Sequence, residues 1–202
     1  MPNIYRYGLN QALNEIEDII KSGINSLAIF PVIDSENKDH KGSQATKTNN
    51  FISKSIKEIK RQFPDLVLIA DVALDPYTDH GHDGIIVNGD VDNDETNKIL
   101  IEQSLILADA GADIIAPSDM MDGRIGLIRE ALESQNFKNT ILLSYAAKFS
   151  SKFYGPFRDA VGSSSNLGES SKTSYQMSLK NKQEALHEVA LDINEGADIV
   201  TV

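Results

Sequence analysis

The residues best suited to covalent chemistry lie in one run, Ser144-Tyr145-Ala146-Ala147-Lys148-Phe149, continued by Phe153-Tyr154-Gly155-Pro156-Phe157-Arg158-Asp159-Ala160. The run is entered through Thr140 to Leu143, apolar and β-branched without a charge, the composition of a buried strand. Lys148 arrives where that strand should end, and three aromatics, Phe149, Phe153 and Tyr154, follow it. An ammonium among aromatics is poorly hydrated. Desolvation disfavours the charged form, which is how a lysine becomes an amine nucleophile for Schiff-base chemistry. Arg158, ten residues further on, can grip a carboxylate with two parallel hydrogen bonds. Amine and clamp together suit a small keto acid. The same types also suit a surface lysine at a strand end and an arginine in a salt bridge.

Three further groups carry chemistry-bearing residues. Asp71-Val72-Ala73-Leu74-Asp75-Pro76-Tyr77-Thr78-Asp79-His80-Gly81-His82-Asp83-Gly84 mixes imidazoles with carboxylates, a donor set for metal ions. A turn-rich surface loop accounts for it as simply. In Ser118-Asp119-Met120-Met121-Asp122-Gly123-Arg124, Asp122 suits the N-cap of a helix starting near Arg124, and the two methionines suit the core. Lys172, Tyr175 and Gln176 follow a Ser/Gly-rich stretch, and Glu188 is a charge on a helix face.

Elements that would position these groups are legible from periodicity. Leu9, Leu13, Ile16, Ile19 and Ile20 predict a helix from about Asn10 to Lys21, with Gly23 as its C-cap. A buried strand from Ser26 to Ile33, a polar loop from Asp34 to Asn49, and a helix carrying Ile52, Ile56, Ile59 and Phe63 follow. Leu66 to Val72 is the second strand, and Asp75 to Asp92 reads as a long loop. Then come a helix Ile99 to Ala110, a strand Asp113 to Pro117, a helix with Ile125, Ile128 and Leu132, and the strand Thr140 to Tyr145. Gly162 to Ser174 is a second polar loop. A helix with Leu186, Val189, Ala190 and Ile193, ended by Gly196, leads to the strand Asp198 to Val202. Gly23-Ile24-Asn25, Gly111-Ala112-Asp113 and Gly196-Ala197-Asp198 form a weak repeat between helix and strand. Alternating helices and continuous apolar strands imply a parallel sheet covered by helices. Asp71, Ser118, Asp119 and Lys148 fall at strand C-terminal ends, where a (β/α)8 barrel carries its chemistry. A doubly wound sheet is the alternative, but no Gly-rich phosphate loop follows any strand. About five of the eight strands of a barrel are visible, so 1–202 reads as an internal piece of a single catalytic barrel, short of about one strand in front and two behind.

The 202 residues carry 30 acidic against 19 basic side chains, a net charge of −11. That balance argues against nucleic acid and against an anionic membrane surface. No run approaches a membrane span, and no signal peptide precedes the first helix. Cysteine is absent, which excludes disulfides and thiolate metal sites within these residues. A cytoplasmic, bacterial-type setting or an organelle matrix fits.

The Lys148 run resembles the Schiff-base segment of the porphobilinogen synthase (5-aminolevulinic acid dehydratase) family, and the three other groups resemble the same family in the same order. The resemblance implies an asymmetric condensation of two 5-aminolevulinate molecules to porphobilinogen, with loss of two waters, through two Schiff-base lysines. Lys148 is then the lysine of the second-site substrate, with Arg158 and Lys172 on its carboxylate and Phe153, Tyr154 and Gln176 in the pocket. Asp71 matches an active-site carboxylate, and Ser118 with Asp119 an active-site pair that orients an amine or a water. The stretch before Lys172 resembles a lid that closes over the site. Ala73, Asp75 and Asp83 stand where zinc-dependent members carry three cysteines. No zinc is therefore expected, and Asp75 and Asp83 remain hard-oxygen donors at most. This is the pattern of the aspartate-type, magnesium-responsive branch, in which Glu188 matches a carboxylate that holds an allosteric magnesium through its water shell between subunits of a homo-octamer. Gly196-Ala197-Asp198-Ile199-Val200 resembles the lead-in to the second lysine, which is expected directly after Val202. Without that lysine these residues alone are expected to be inactive. A class I aldolase, with one Schiff-base lysine, and a truncated chain that only pairs with other subunits are the alternatives.

Overall fold

The computed structural model describes residues 4–161 and 172–202; the expected lid falls mostly outside them. Along the chain run α1 (Leu9–Lys21), β1 (Ser26–Ile29), a short 3-10 turn (Ser35–Asn37), α2 (Phe51–Gln62), β2 (Val67–Val72), β3 (Ile85–Val87) and β4 (Asp90–Asp92). They continue with α3 (Asn93–Asp109), β5 (Ile114–Pro117), α4 (Arg124–Ser134), β6 (Ile141–Tyr145), α5 (Tyr154–Val161), α6 (Lys182–Asn194) and β7 (Ile199–Thr201). Five strands form one parallel sheet in the order β1-β2-β5-β6-β7. The order never reverses along the chain. A doubly wound sheet needs a reversal, whereas barrel staves follow one another in sequence. The chain is a run of staves of a (β/α)8 barrel.

Apolar strands on one side and helical stripes on the other make the core. Ile56 and Ile59 of α2, Leu100 and Leu107 of α3, and Ile125, Ile128 and Leu132 of α4 pack with Leu68, Val72, Ile115 and Leu142 of the sheet, all buried. Among the described residues no helix is long and apolar enough to cross a membrane.

Four boundaries differ from the sequence expectation. β1 stops at Ile29 rather than Ile33, because Pro31 has no N–H to add to a ladder. The stretch from Asp75 to Asp92 is not all loop: β3 and β4 pair antiparallel across Asn88-Gly89, whose φ values of 53° and 92° suit a primed hairpin turn. Helix α3 starts at Asn93, six residues before its first apolar anchor, because the Asp92 carboxylate accepts the Glu95 N–H at 2.9 Å. Asp122 does not cap α4; Gly123, at φ 72°, holds that position. Asp122 uses its backbone instead, donating to Asn93 Oδ1 at 2.7 Å and accepting from Asn97 Nδ2 at 2.8 Å.

The repeated glycines have a common cause. Gly23, Gly111 and Gly196 end helices at φ 90°, 102° and 103°, in the left-handed region. Two residues after the last two, an aspartate stands at the foot of a strand. Asp113 accepts the Leu68 N–H of β2, and Asp198 the Leu142 N–H of β6, each at 2.8 Å. Lys60 from α2 pairs with Asp113 at 2.9 Å, and Arg129 from α4 pairs with Asp198.

Candidate active site

The parallel register carries Asp71, Ser118 and Lys148 to the same rim. Asp71 lies opposite Ala116 and Val72 opposite Pro117, so Ser118 follows directly, and its N–H donates to Val72 O at 3.0 Å. Lys148 stands three residues beyond β6. Its Nζ donates to Ser118 O at 2.5 Å and lies 5.9 Å from the centre of the Tyr154 ring. A cavity of about 340 Å³ opens over it, lined by Asp71, Ser118, Lys148 and a wall of Phe30, Tyr145, Phe153, Tyr154 and Phe157. Phe30 and Phe157 meet edge to face at 5.6 Å. Phe153 is 93% exposed, so it stands at the mouth rather than inside. Arg158 lies on α5, with its side chain outside the described part.

Asp71 shares the lining of this cavity with the amine. Its Oδ1 is closed off from solvent and, among the described residues, has no hydrogen-bond partner. Burial pushes the carboxyl up to about 7; Asp75 and Asp83 add to the rise, while the Ser118 side chain and Lys148 draw it back. The folded protein therefore holds a proton that the unfolded chain has released by mid-acid pH. Folding stability contributed by this group is highest below the ordinary carboxyl value of 3.8 and falls as pH rises to about 7. Asp71→Asn should flatten that decline in a series of urea midpoints against pH. An unchanged slope would place the proton on another group.

Asp75 and Asp83 face each other across Lys172. The Lys172 Nζ lies 3.2 Å from Asp75 Oδ2 and 3.0 Å from Asp83 Oδ2, and Lys148 lies 3.9 Å from Asp83 Oδ1. All three side chains of the pair and its bridge are buried. Burial raises Asp75, and Asp83 raises it further. Burial also pushes Asp83 up, but Lys148 and Lys172 outweigh it and hold that carboxyl below its usual range. Burial lowers Lys172 and the two carboxylates more than restore it, leaving its ammonium raised. An ammonium fills the place between the two carboxylates that the sequence reading offered as hard-oxygen donors. Tyr175 backs the pair, its hydroxyl 3.1 Å from His82 Nδ1 and accepting the Asp83 N–H at 3.3 Å. Gln176 is buried with its Oε1 unpartnered among the described residues.

Ser118 and Asp119 follow one another at the end of β5, and their contacts differ. Asp119 turns to Arg124, which the sequence reading used only to mark a helix start. Fully buried, Asp119 accepts the Met121 N–H at 2.7 Å and lies 3.4 Å from Arg124 Nε. Arg124 also donates to Met121 O at 2.9 Å and Tyr145 O at 3.2 Å, and lies 3.8 Å from Asp192. Ser144 donates to Asp192 at 2.5 Å. This network ties β5, α4, β6 and α6 beneath the rim. Glu188 lies apart, on a second cavity of about 820 Å³ with Asp122, Glu184 and Asp192. Burial, then Asp122 and Asp192, raise its carboxyl. His80 of the second group gathers with Asp79 and with His40 from the preceding loop, donor atoms of the three lying within 4.8 Å. Both ring nitrogens of His80 are engaged, with the His82 N–H and with His40 O, each at 3.2 Å.

Sequence-ordered parallel staves with an amine and buried acids on their C-terminal rim define an α/β barrel chain with its chemistry at the strand ends. The family model described as delta-aminolevulinic acid dehydratase matches residues 1–202, and the chain belongs to that family. It is 48% identical over 202 residues to the delta-aminolevulinic acid dehydratase of Bradyrhizobium diazoefficiens, covering 100% of this chain and 57% of that protein. It is 44% identical over 202 residues to that of Bacillus subtilis, covering 100% of this chain and 61% of that protein. A crystal structure of the enzyme from Toxoplasma gondii, in complex with the reaction product porphobilinogen, superposes with a TM-score of 0.97 at 41% identity. The match covers 100% of this chain and 58% of that one. The chain spans 57% to 61% of these relatives.

Proposed function

We propose that the protein to which these residues belong is a porphobilinogen synthase, and that Lys148 is a Schiff-base lysine of its second substrate site. The observation that carries this reading is the Lys148 amine, held by Ser118 O at 2.5 Å under an aromatic-walled cavity and beside an acid that titrates near neutrality. The amine adds to the ketone carbon of 5-aminolevulinate. Loss of water from that adduct needs a proton on the departing oxygen, and protonated Asp71 is placed to give it. The iminium then draws electrons from the neighbouring carbon, and the ionised Asp71 can take the proton released there. Lys172 reaches a substrate carboxylate only by leaving Asp75 or Asp83, so its role as second clamp breaks an ion pair. Trapping the substrate on Lys148 with borohydride tests the reading.

Magnesium fits the Glu188 region. Asp122 and Asp192 crowd this carboxylate, and hard oxygens with room for water suit a hydrated magnesium ion. Bound there, the ion supplies a charge bridge that favours the higher homo-oligomer, an octamer in this reading. Zinc lacks its thiolates at Ala73, Asp75 and Asp83. Activity should therefore survive a zinc-selective chelator, and magnesium should raise both activity and sedimentation coefficient in the wild type but not in Glu188→Ala. Loss of activity to that chelator, restored only by zinc, would sink the metal assignment.

A further inference from the structure

We infer that Lys172 is the resident cation of the Asp75/Asp83 pocket, and that this lysine and a divalent metal ion exclude one another there. The inference concerns the site of the proposed activity but is read from its charges alone. Asp75 and Asp83 leave a turn after β2 that is closed by the Leu74 N–H on Asp83 O at 3.2 Å, so both carboxylates are held facing inward. Their exposures are 8% and 1%, and buried carboxylates at this depth require a counter-ion. Lys172, 4% exposed, supplies it at 3.2 Å and 3.0 Å. A metal bound to the same two oxygens sits at about 2.0–2.6 Å from each, so its centre and the ammonium nitrogen claim one point.

Charge and donor number agree. With Lys172 between them and Lys148 Nζ 3.9 Å from Asp83 Oδ1, the two acids already face two lysines. A divalent ion added beside Lys172 would leave uncompensated positive charge in a buried site. The donor set is also short, because Ala73 offers no ligand atom and two monodentate carboxylates complete neither a tetrahedron nor an octahedron. Removing the Lys172 charge reverses the balance: two carboxylates against Lys148 alone attract a cation, and the space it leaves admits water to complete the shell.

Mn2+ binding, followed by equilibrium dialysis and by the EPR signal of the bound ion, tests this on the full protein without turnover, so its failure is separate from failure of the proposed activity. Wild type and Asp83→Asn should bind the same number of Mn2+ ions per chain. Lys172→Met should bind one more, with an affinity at least about tenfold above any wild-type binding at that position, as expected when a buried charge loses its partner. Lys172→Met/Asp83→Asn should lose that ion again. Wild-type Mn2+ occupancy that falls in Asp83→Asn, or no gain in a folded Lys172→Met, would each overturn the inference.

Discussion

Lys148→Ala should abolish the borohydride-stable 5-aminolevulinate adduct on the peptide around Lys148, and lower turnover of the full protein by roughly 10⁴-fold or more, the scale on which loss of a covalent nucleophile acts. The expectation follows from the placement of Nζ. Ser118 O fixes one N–H direction at 2.5 Å, the Tyr154 ring covers one side, and the cavity opens on another. Among the residues lining that cavity, Lys148 is the one whose side chain can form an imine with a ketone carbon. The wild-type protein should gain the mass of one reduced 5-aminolevulinate, mapping to the peptide around Lys148. Lys148→Arg keeps the charge and the contact with Ser118 O yet cannot form the imine, so it should lose the adduct as fully as alanine does. No wild-type adduct on the Lys148 peptide, or turnover of the full protein left unchanged in Lys148→Ala, would move the nucleophile to another residue.

Arg124→Ala should destabilise the protein by about 3–5 kcal/mol, the cost of stripping one partner from a buried ion network. Arg124 is 4% exposed and faces Asp119 at 0% and Asp192 at 5%. Its removal leaves two buried carboxylates short of their shared cation and frees the Met121 and Tyr145 carbonyls from its hydrogen bonds. The loss should appear in the urea midpoint and as a melting temperature lower by roughly 6–20 °C. Arg124→Met keeps the packing volume and should lose nearly as much, while Arg124→Met with Asp119→Asn should recover part of it. A loss below about 1 kcal/mol would show the network to be solvated rather than buried.

The staves were legible because each is a continuous apolar run, and the helices that cover them because their stripes repeat at helical spacing. The glycine repeat was legible as well, since a helix end in the left-handed region has few other solutions. The β3–β4 hairpin was missed although Asn88-Gly89 between Ile86-Val87 and Val91 is a strong turn signal, because the surrounding aspartates and histidines drew the reading toward a loop. The start of α3 was missed because its first turn is polar and held by a cap rather than by packing. The site was partly legible: strand-end position marked Asp71, Ser118 and Lys148. What Asp75, Asp83, Asp119 and Lys172 face was not. Lys172 and Asp75 stand 97 residues apart and meet only through the tertiary fold. Arg124 meets Asp192 across the same kind of distance, and nothing local distinguishes it from any arginine in a first helical turn.

The paired feet of the barrel, Asp113 with Lys60 and Asp198 with Arg129, set a height. A parallel strand can slide by two residues, about 6.6 Å, and still present the same faces. Each foot forbids that slide, because the aspartate of one stave is pinned to a single N–H of the stave before it. Ser118 is thereby levelled against Asp71, and the lead of β7 against β6, which delivers Lys148. The floor works as the datum from which the rim is measured. Aspartates at the end remote from the chemistry thus level Ser118 with Asp71, and the last stave with the one that delivers Lys148.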